Sequence, residues 1–461
     1  MTSLPDPKAK KRRSARDPGE LKTICLQLET ITPILGGAAV PRTVDKHDPV
    51  RVSGIRGQLR FWWRALCVHA VHQDYRDDWP RKLAEKEARL WGGVGAAAGS
   101  DKVARSRVDI WLEAVELSEV DPDDIAARNR DAYALWPARK VKGENKPPAE
   151  RWKRGLRFRL CVRYPVDEAD EVTRALRAWI WFGGVGSRTR RGCGSVTVVG
   201  PDARQWLPGS VQAIENELGG VSLRGQRDPR EALDTPSLHG AALLYGGEQR
   251  DGQRAWYDAI DWLRDFRQQP DPQTGNASDF AREPEKHKGK NHRAGRSKWP
   301  EADNVRRLVR PRGPWVHDPR YGAKENVWPR ASFGLPIIGQ FQQKDIDDNL
   351  YQYREPGNFE LRWRDRKNEV RDRLASPLIV KALPLASGRF MPIALWLFRK
   401  YPDGEVILYH NNAVGGSAAP FDKLLGKDDT ALYRPLAAGC MHNAFFDWVE
   451  RHGKNVRRLG K

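Results

Sequence analysis

Residues 155–199 read "GLRFRLCVRYPVDEADEVTRALRAWIWFGGVGSRTRRGCGSVTVV". The stretch changes period twice. "GLRFRLCVRY" alternates apolar and polar side chains, as a half-buried strand does. "DEADEVTRALRAWIWF" takes up a helical pattern, with its acidic residues in the first turn, where the helix dipole favours negative charge. The glycine-rich "GGVGSRTRRGCGS" breaks that helix, and "SVTVV" returns to strand.

Upstream, "KTICLQLETIT" is a further strand, ended by the glycine pair of "TPILGGA". A helix is expected over Ile55–Val71, and "SRVDIWLEAVEL" is another alternating strand. The order strand, helix, strand, strand, helix, strand is the ferredoxin-like βαββαβ arrangement. It spans residues 20–200 and carries an Arg/Lys/Pro-rich insertion at about 117–156. Residues 1–19 contain "KAKKRRSAR" and few apolar side chains, so a disordered basic tail is expected there.

Residues 201–461 form a second region, with strand patterns in "ASFGLPIIGQF", "NFELRWR", "SPLIVKALPL", "RFMPIALWLF" and "EVILYH", then a helix near 437–451. A second βαββαβ unit accommodates them, with the polar, basic segment 266–300 as a loop or linker. The expected fold class is α+β: tandem ferredoxin-like (RRM-related) domains with basic insertions. "WGGVGAAAGS" (91–100) and "FGGVGSRTRRGCGS" (182–195) share only "GGVG", too little for a repeat.

The 461 residues carry a formal net charge of +20, so an anionic partner is expected, nucleic acid before a membrane surface. Eighteen tryptophans beside many arginines suit stacking on unpaired bases, although most tryptophans belong in a core. Apolar runs such as "PIALWLF" are too short to span a bilayer, and the N-terminus has no secretory apolar region. The cysteines Cys25, Cys67, Cys161, Cys193 and Cys440 lack metal-knuckle spacing and read as buried thiols in a reducing cytoplasm. No metal or other cofactor is expected.

Two constellations carry the chemistry. In "SGIRGQLRFWWRAL" (53–66), Leu59, Trp62, Trp63, Leu66 and Ala70 fall on one helical face, with Ser53 as N-cap. Arg56, Arg60 and Arg64 form a stripe at i, i+4 spacing, a repulsion that a bound phosphate or carboxylates from elsewhere would relieve. In the loop, Gly183, Gly184, Gly186, Gly192 and Gly194 permit close backbone approach. Arg188, Arg190 and Arg191 add charge. A polyanion backbone fits this loop, and so does a plain structural turn. It matches neither the Walker nor the dinucleotide pattern.

"LETITPILGGA", "IRGQLRFWWRAL", "GGVGSRTRRGCGS", "RSKWPEADNVRRL", "FGLPI" and "SPLIVKALPL" together resemble the Cmr-type RAMP proteins of type III-B CRISPR systems, most of all the family's first subunit. The resemblance runs from about residue 24 to 400. Cys193 departs from it, standing where an aromatic or apolar residue is expected. The resemblance implies a non-catalytic cytoplasmic subunit of an RNA-guided antiviral effector, holding the 3′ region of the CRISPR RNA and its paired target beside other Cmr subunits. It places RNA contacts on Arg56, Arg60, Arg64, the loop from Gly183 to Gly194, Lys298, Arg306 and Arg307. The alternative is a metal-independent RAMP endoribonuclease using a histidine. His69 and His72 point away from the arginine stripe, while His239, His317 and His410 are isolated in sequence.

Overall fold

The computed structural model describes residues 20–93, 105–126, 128–140, 146–225, 228, 231–268, 286–287, 290–291, 297–310, 319–322, 324–341 and 355–460. The basic tail, most of the 266–300 segment, the end of "WGGVGAAAGS" and His317 lie outside the described residues. The chain is a mixed α+β protein built on antiparallel sheets.

The first half runs β1 (Leu21–Thr30), α1 (Val52–Tyr75), α2 (Trp79–Trp91), β2 (Asp109–Glu116), β3 (Arg157–Pro165), α3 (Ala169–Phe182) and β4 (Val196–Val198). Its sheet has the order β2-β3-β1-β4. Only one face of this sheet meets the core. Leu26 and Leu28 on β1 and Phe158, Leu160 and Val162 on β3 point inward, while Arg157, Arg159 and Arg163 point outward. That one-sided burial is why the alternation is clean. Helix α1 is longer than its periodicity suggested. It starts at Val52 with Arg51 as N-cap, so Ser53 is not the cap.

The second half runs β5 (Ser237–Tyr245), α4 (Gly252–Gln268), α5 (Pro300–Val309), β6 (Ile337–Gln340), β7 (Asn358–Asp365), β8 (Leu378–Pro384), β9 (Phe390–Phe398), β10 (Gly404–His410), α6 (Met441–His452) and β11 (Arg457–Arg458). One sheet has the order β8-β9-β5-β11. Strands β6, β7 and β10 do not join it, although the sequence pattern put them in the same unit. They form a separate sheet over a small core of Val305, Trp328, Leu361, Val406 and Leu408.

The second half's main sheet is covered on both faces. Leu243, Ile379, Leu383, Ile393 and Leu395 share a core with α1 and α3 of the first half. Ala242, Leu244, Val380, Ala394 and Trp396 share another with α4 and α6. The layers are therefore sheet, helices, sheet, helices, and the two halves meet through apolar packing. Double burial explains why β8 and β9 read as nearly unbroken apolar runs. Among the described residues, no helix is long and apolar enough to cross a membrane.

Candidate nucleic-acid interface

The arginine stripe of α1 is engaged by partners within the protein. Arg60 Nε donates to Glu87 Oε1 at 2.6 Å, and Arg64 Nη1 donates to the same oxygen at 2.5 Å. Glu87 sits on α2 and is buried. Arg56 Nη1 donates to Ser106 Oγ at 2.9 Å and to the Val108 carbonyl at 3.0 Å. The repulsion at i, i+4 spacing is thus answered by a carboxylate from the next helix, and the stripe serves the fold. Leu59, Trp62 and Trp63 are buried as expected. Leu66 is half-buried and Ala70 exposed, so the core face turns toward Ile55, Ala65, Val68 and Val71 instead.

The glycine loop serves the chain's own packing. A Cβ on Gly183 would lie 2.6 Å from Trp179 Cδ1 and 2.8 Å from Trp62 Nε1. On Gly184 it would lie 2.6 Å from the Gly194 carbonyl oxygen, and on Gly192 2.5 Å from Trp256 Cδ1. These three glycines are buried, so no ligand backbone reaches them. Gly186 is exposed, but with φ +76° and a Cβ position 2.6 Å from Ile34 Cγ2 it too is fixed by the fold. Cys193 is buried among the second half's apolar side chains, and burial pushes its thiol up to about 12.

The three loop arginines tie distant segments together. Arg188 donates to the Ala134 carbonyl and Arg190 to that of Ser376. Arg191 Nη1 donates to the Leu378 carbonyl at 3.1 Å. Burial lowers all three guanidinium pKa values, those of Arg190 and Arg191 to about 10. For Arg190, the nearby Arg399 lowers it further. Behind the loop, the fully buried Lys381 of β8 donates to the Gly183 carbonyl at 2.7 Å, and desolvation lowers its pKa to about 7.

"SKWPEADNVRRL" is largely interior. Arg306 is buried and paired with Asp303 and Glu355, both at 2.7 Å. Lys298 is buried with its Nζ 3.9 Å from the Tyr433 ring centroid. Neither is placed to meet RNA. Arg307 is half-buried and donates to Asn326 Oδ1.

What the fold does assemble is a cleft of about 550 Å³ between the loop and the second half. Arg188, Arg190, Arg191, Arg267 and Arg330 line it, with no Asp, Glu or His among the described lining residues. Arg267 Nη1 donates to Tyr133 Oη at 2.8 Å. Arg330 Nε lies 3.4 Å from the buried Glu301 Oε2. At the mouth, Trp136 is 62% exposed, an unusual state for so large an apolar side chain, with the Arg139 guanidinium 4.4 Å from its ring centroid. Several cations and one exposed indole around a groove can hold a phosphate chain and stack a base.

The sequence signalled the three loop arginines of this cleft but not Arg267, Arg330 or Trp136. These come from separate elements, and only the tertiary fold brings them together. Among the described residues, no histidine lines the cleft. His69 of α1 stacks on His239 of β5 with ring centroids 3.9 Å apart. Nor are all the cysteines thiols: Cys25 and Cys161, opposite each other on β1 and β3, form a disulfide.

Residues 27–197 match the family model of the RAMP superfamily, a span holding α1 and the glycine loop. The resemblance to RAMP proteins therefore holds over that region. A curated relative, the CRISPR system Cmr subunit Cmr1-1 of Pyrococcus furiosus, is 28% identical over 156 residues, 33% of this chain. The match spans 42% of that relative's length. Among solved structures, Cmr1 from Pyrococcus furiosus in its apo form is similar at 15% identity, covering 95% of this chain and 98% of that one, with a TM-score of 0.44. A chain of the type III-B Cmr-beta complex bound to cognate target RNA is similar at 12% identity, covering 93% and 100%, with a TM-score of 0.41.

Proposed function

We propose that this chain is a non-catalytic, RNA-binding subunit of a type III-B CRISPR (Cmr) effector complex. In this reading it holds the 3′ region of the CRISPR RNA and its paired target RNA, in contact with other Cmr subunits in the cytoplasm. The observation that carries the reading is the arginine-lined cleft. Five arginines line it, and among the described lining residues there is no carboxylate, so the local field favours a polyanion although Arg330 is partly countered by Glu301 behind it. The RAMP-superfamily match over residues 27–197 and the relation to a curated Cmr subunit supply the biological setting.

We also read the two halves as ferredoxin-like units, 20–200 and 201–461. Numbering the four principal strands of each half in chain order, both main sheets run second, third, first, fourth. In that reading β6, β7 and β10 are insertions of the second unit.

In the cleft, the arginines contact phosphates and Trp136 stacks on an unpaired base. A groove with cations and an exposed indole offers contacts to phosphates and a stacking surface, which suits holding RNA. The test is purification of the chain from its native host followed by sequencing of the bound RNA. Co-purified RNAs sharing a repeat-derived end, together with other Cmr subunits, are expected. RNA of random origin without those subunits would contradict the proposal.

A further inference from the structure

The outer face of the first sheet carries a chemistry that RNA binding does not use. Cys25 on β1 lies opposite Cys161 on β3, which lies opposite Trp111 on β2. The ligand atoms of Cys25, Cys161 and Glu113 all lie within 4.8 Å of one another. In the structure the two sulfurs are bonded.

We propose that, once this disulfide is reduced, Cys25, Cys161 and Glu113 form a site for a thiophilic divalent cation of the Zn²⁺ type. The strand pair then alternates between a disulfide and a metal dithiolate. This inference is independent of the RNA reading.

The geometry supplies both states. Tetrahedral zinc takes sulfur at ~2.3 Å and carboxylate oxygen at ~2.0–2.2 Å, so its ligand atoms stand roughly 3–4 Å apart. Breaking the S–S bond lets the two sulfurs separate by side-chain rotation alone, with the strands kept in register. Trp111 Nε1 donates to Glu113 Oε1 at 3.0 Å, the kind of outer hydrogen bond that orients a metal-ligating carboxylate. The competing Arg159–Glu113 ion pair is long, at 3.5 Å, and solvent-exposed, so it restrains Glu113 weakly.

The chemistry balances. A dithiol reductant gives two electrons and two protons to the Cys25–Cys161 bond and closes its own disulfide. Two thiols result. The cation displaces their two protons to solvent, binds both sulfurs and the Glu113 carboxylate, and takes water as its fourth ligand.

Cobalt(II) titration of the full chain, kept reduced with a phosphine, tests this. One equivalent should produce a thiolate-to-cobalt charge-transfer absorption that Zn²⁺ then abolishes. The oxidised chain and Cys25→Ser should show none. Glu113→Gln, an exposed substitution, should weaken cobalt binding by about tenfold or more. Cys67→Ser/Cys440→Ser should bind as wild type does. No absorption in the reduced chain, or undiminished absorption in Cys25→Ser, would overturn the proposal. Wild-type affinity in Glu113→Gln would do so as well.

Discussion

The guanidinium of Arg190 lies 5.3 Å from the ring centroid of Phe61. Phe61 belongs to the arginine- and tryptophan-dense helix α1, and Arg190 to the glycine loop, so this contact joins the two most distinctive motifs of the chain. It also explains their composition. The aromatic residues of α1 pack inward on α3 and sideways on the loop, and the loop arginines spend part of their hydrogen bonding on the second half.

A double-mutant cycle on Arg190→Ala and Phe61→Leu should therefore show coupling of about 0.5–2 kcal/mol in denaturant unfolding. Strictly additive effects would mean that the contact is not maintained in solution.

Arg60→Glu should destabilise the fold rather than only weaken RNA binding, because it sets a carboxylate against Glu87. Glu87→Gln should cost about 1–3 kcal/mol, since it removes the negative charge shared by Arg60 and Arg64. Thermal melts of both variants check this, and a wild-type melting temperature in either would refute the bridging role.

How much of this was readable beforehand follows from burial. Strands β1, β2 and β3 alternate because one face of the sheet is open, so they were legible, as were α1 and α3, while the short, wholly buried β4 stood out as a β-branched run after the glycine loop. Strand β5 and helix α4 went unread: β5 is buried on both faces and shows no period, and β11 is only two residues long. Glu87 could not be recognised as the partner of Arg60 from spacing alone, because it stands on a different helix. Arg188, Arg190 and Arg191 were found through their clustering in one loop. Arg267 and Arg330 reach the same cleft from isolated positions in sequence. The disulfide required the β1–β3 register, which pairs Cys25 with Cys161.

Lys381 should make stability depend on alkaline pH. Its amine is buried with main-chain carbonyl acceptors, and its pKa falls from the ordinary 10.5 to about 7. Between those values the unfolded chain holds the proton and the folded chain does not. Stability therefore rises with pH across this window, by up to about 1.4 kcal/mol per unit. Below about pH 7 both states are protonated and the full cost of burying the charge remains. Subtracting the profile of Lys381→Met from that of wild type between pH 7 and 10 should expose this slope. A flat difference would show that the amine keeps its proton when buried.

Trp136→Ala should leave stability within about 0.5 kcal/mol, because the indole is exposed. It should cost about 1–3 kcal/mol in binding of single-stranded RNA if a base stacks there. Fluorescence titration with an unpaired oligoribonucleotide checks both the affinity and the quenching of this tryptophan.

The central claim is that the arginine cleft holds the RNA backbone, and the salt dependence of binding tests it most directly. Labelled single-stranded RNA is titrated from low to moderate salt against wild type and Arg267→Gln/Arg330→Gln. Each lost phosphate contact should flatten the slope of log K against log salt by roughly 0.7, so the double variant should bind more weakly with a slope shallower by roughly 1.4. A double variant that keeps both the wild-type slope and the wild-type affinity would place the RNA elsewhere on the protein.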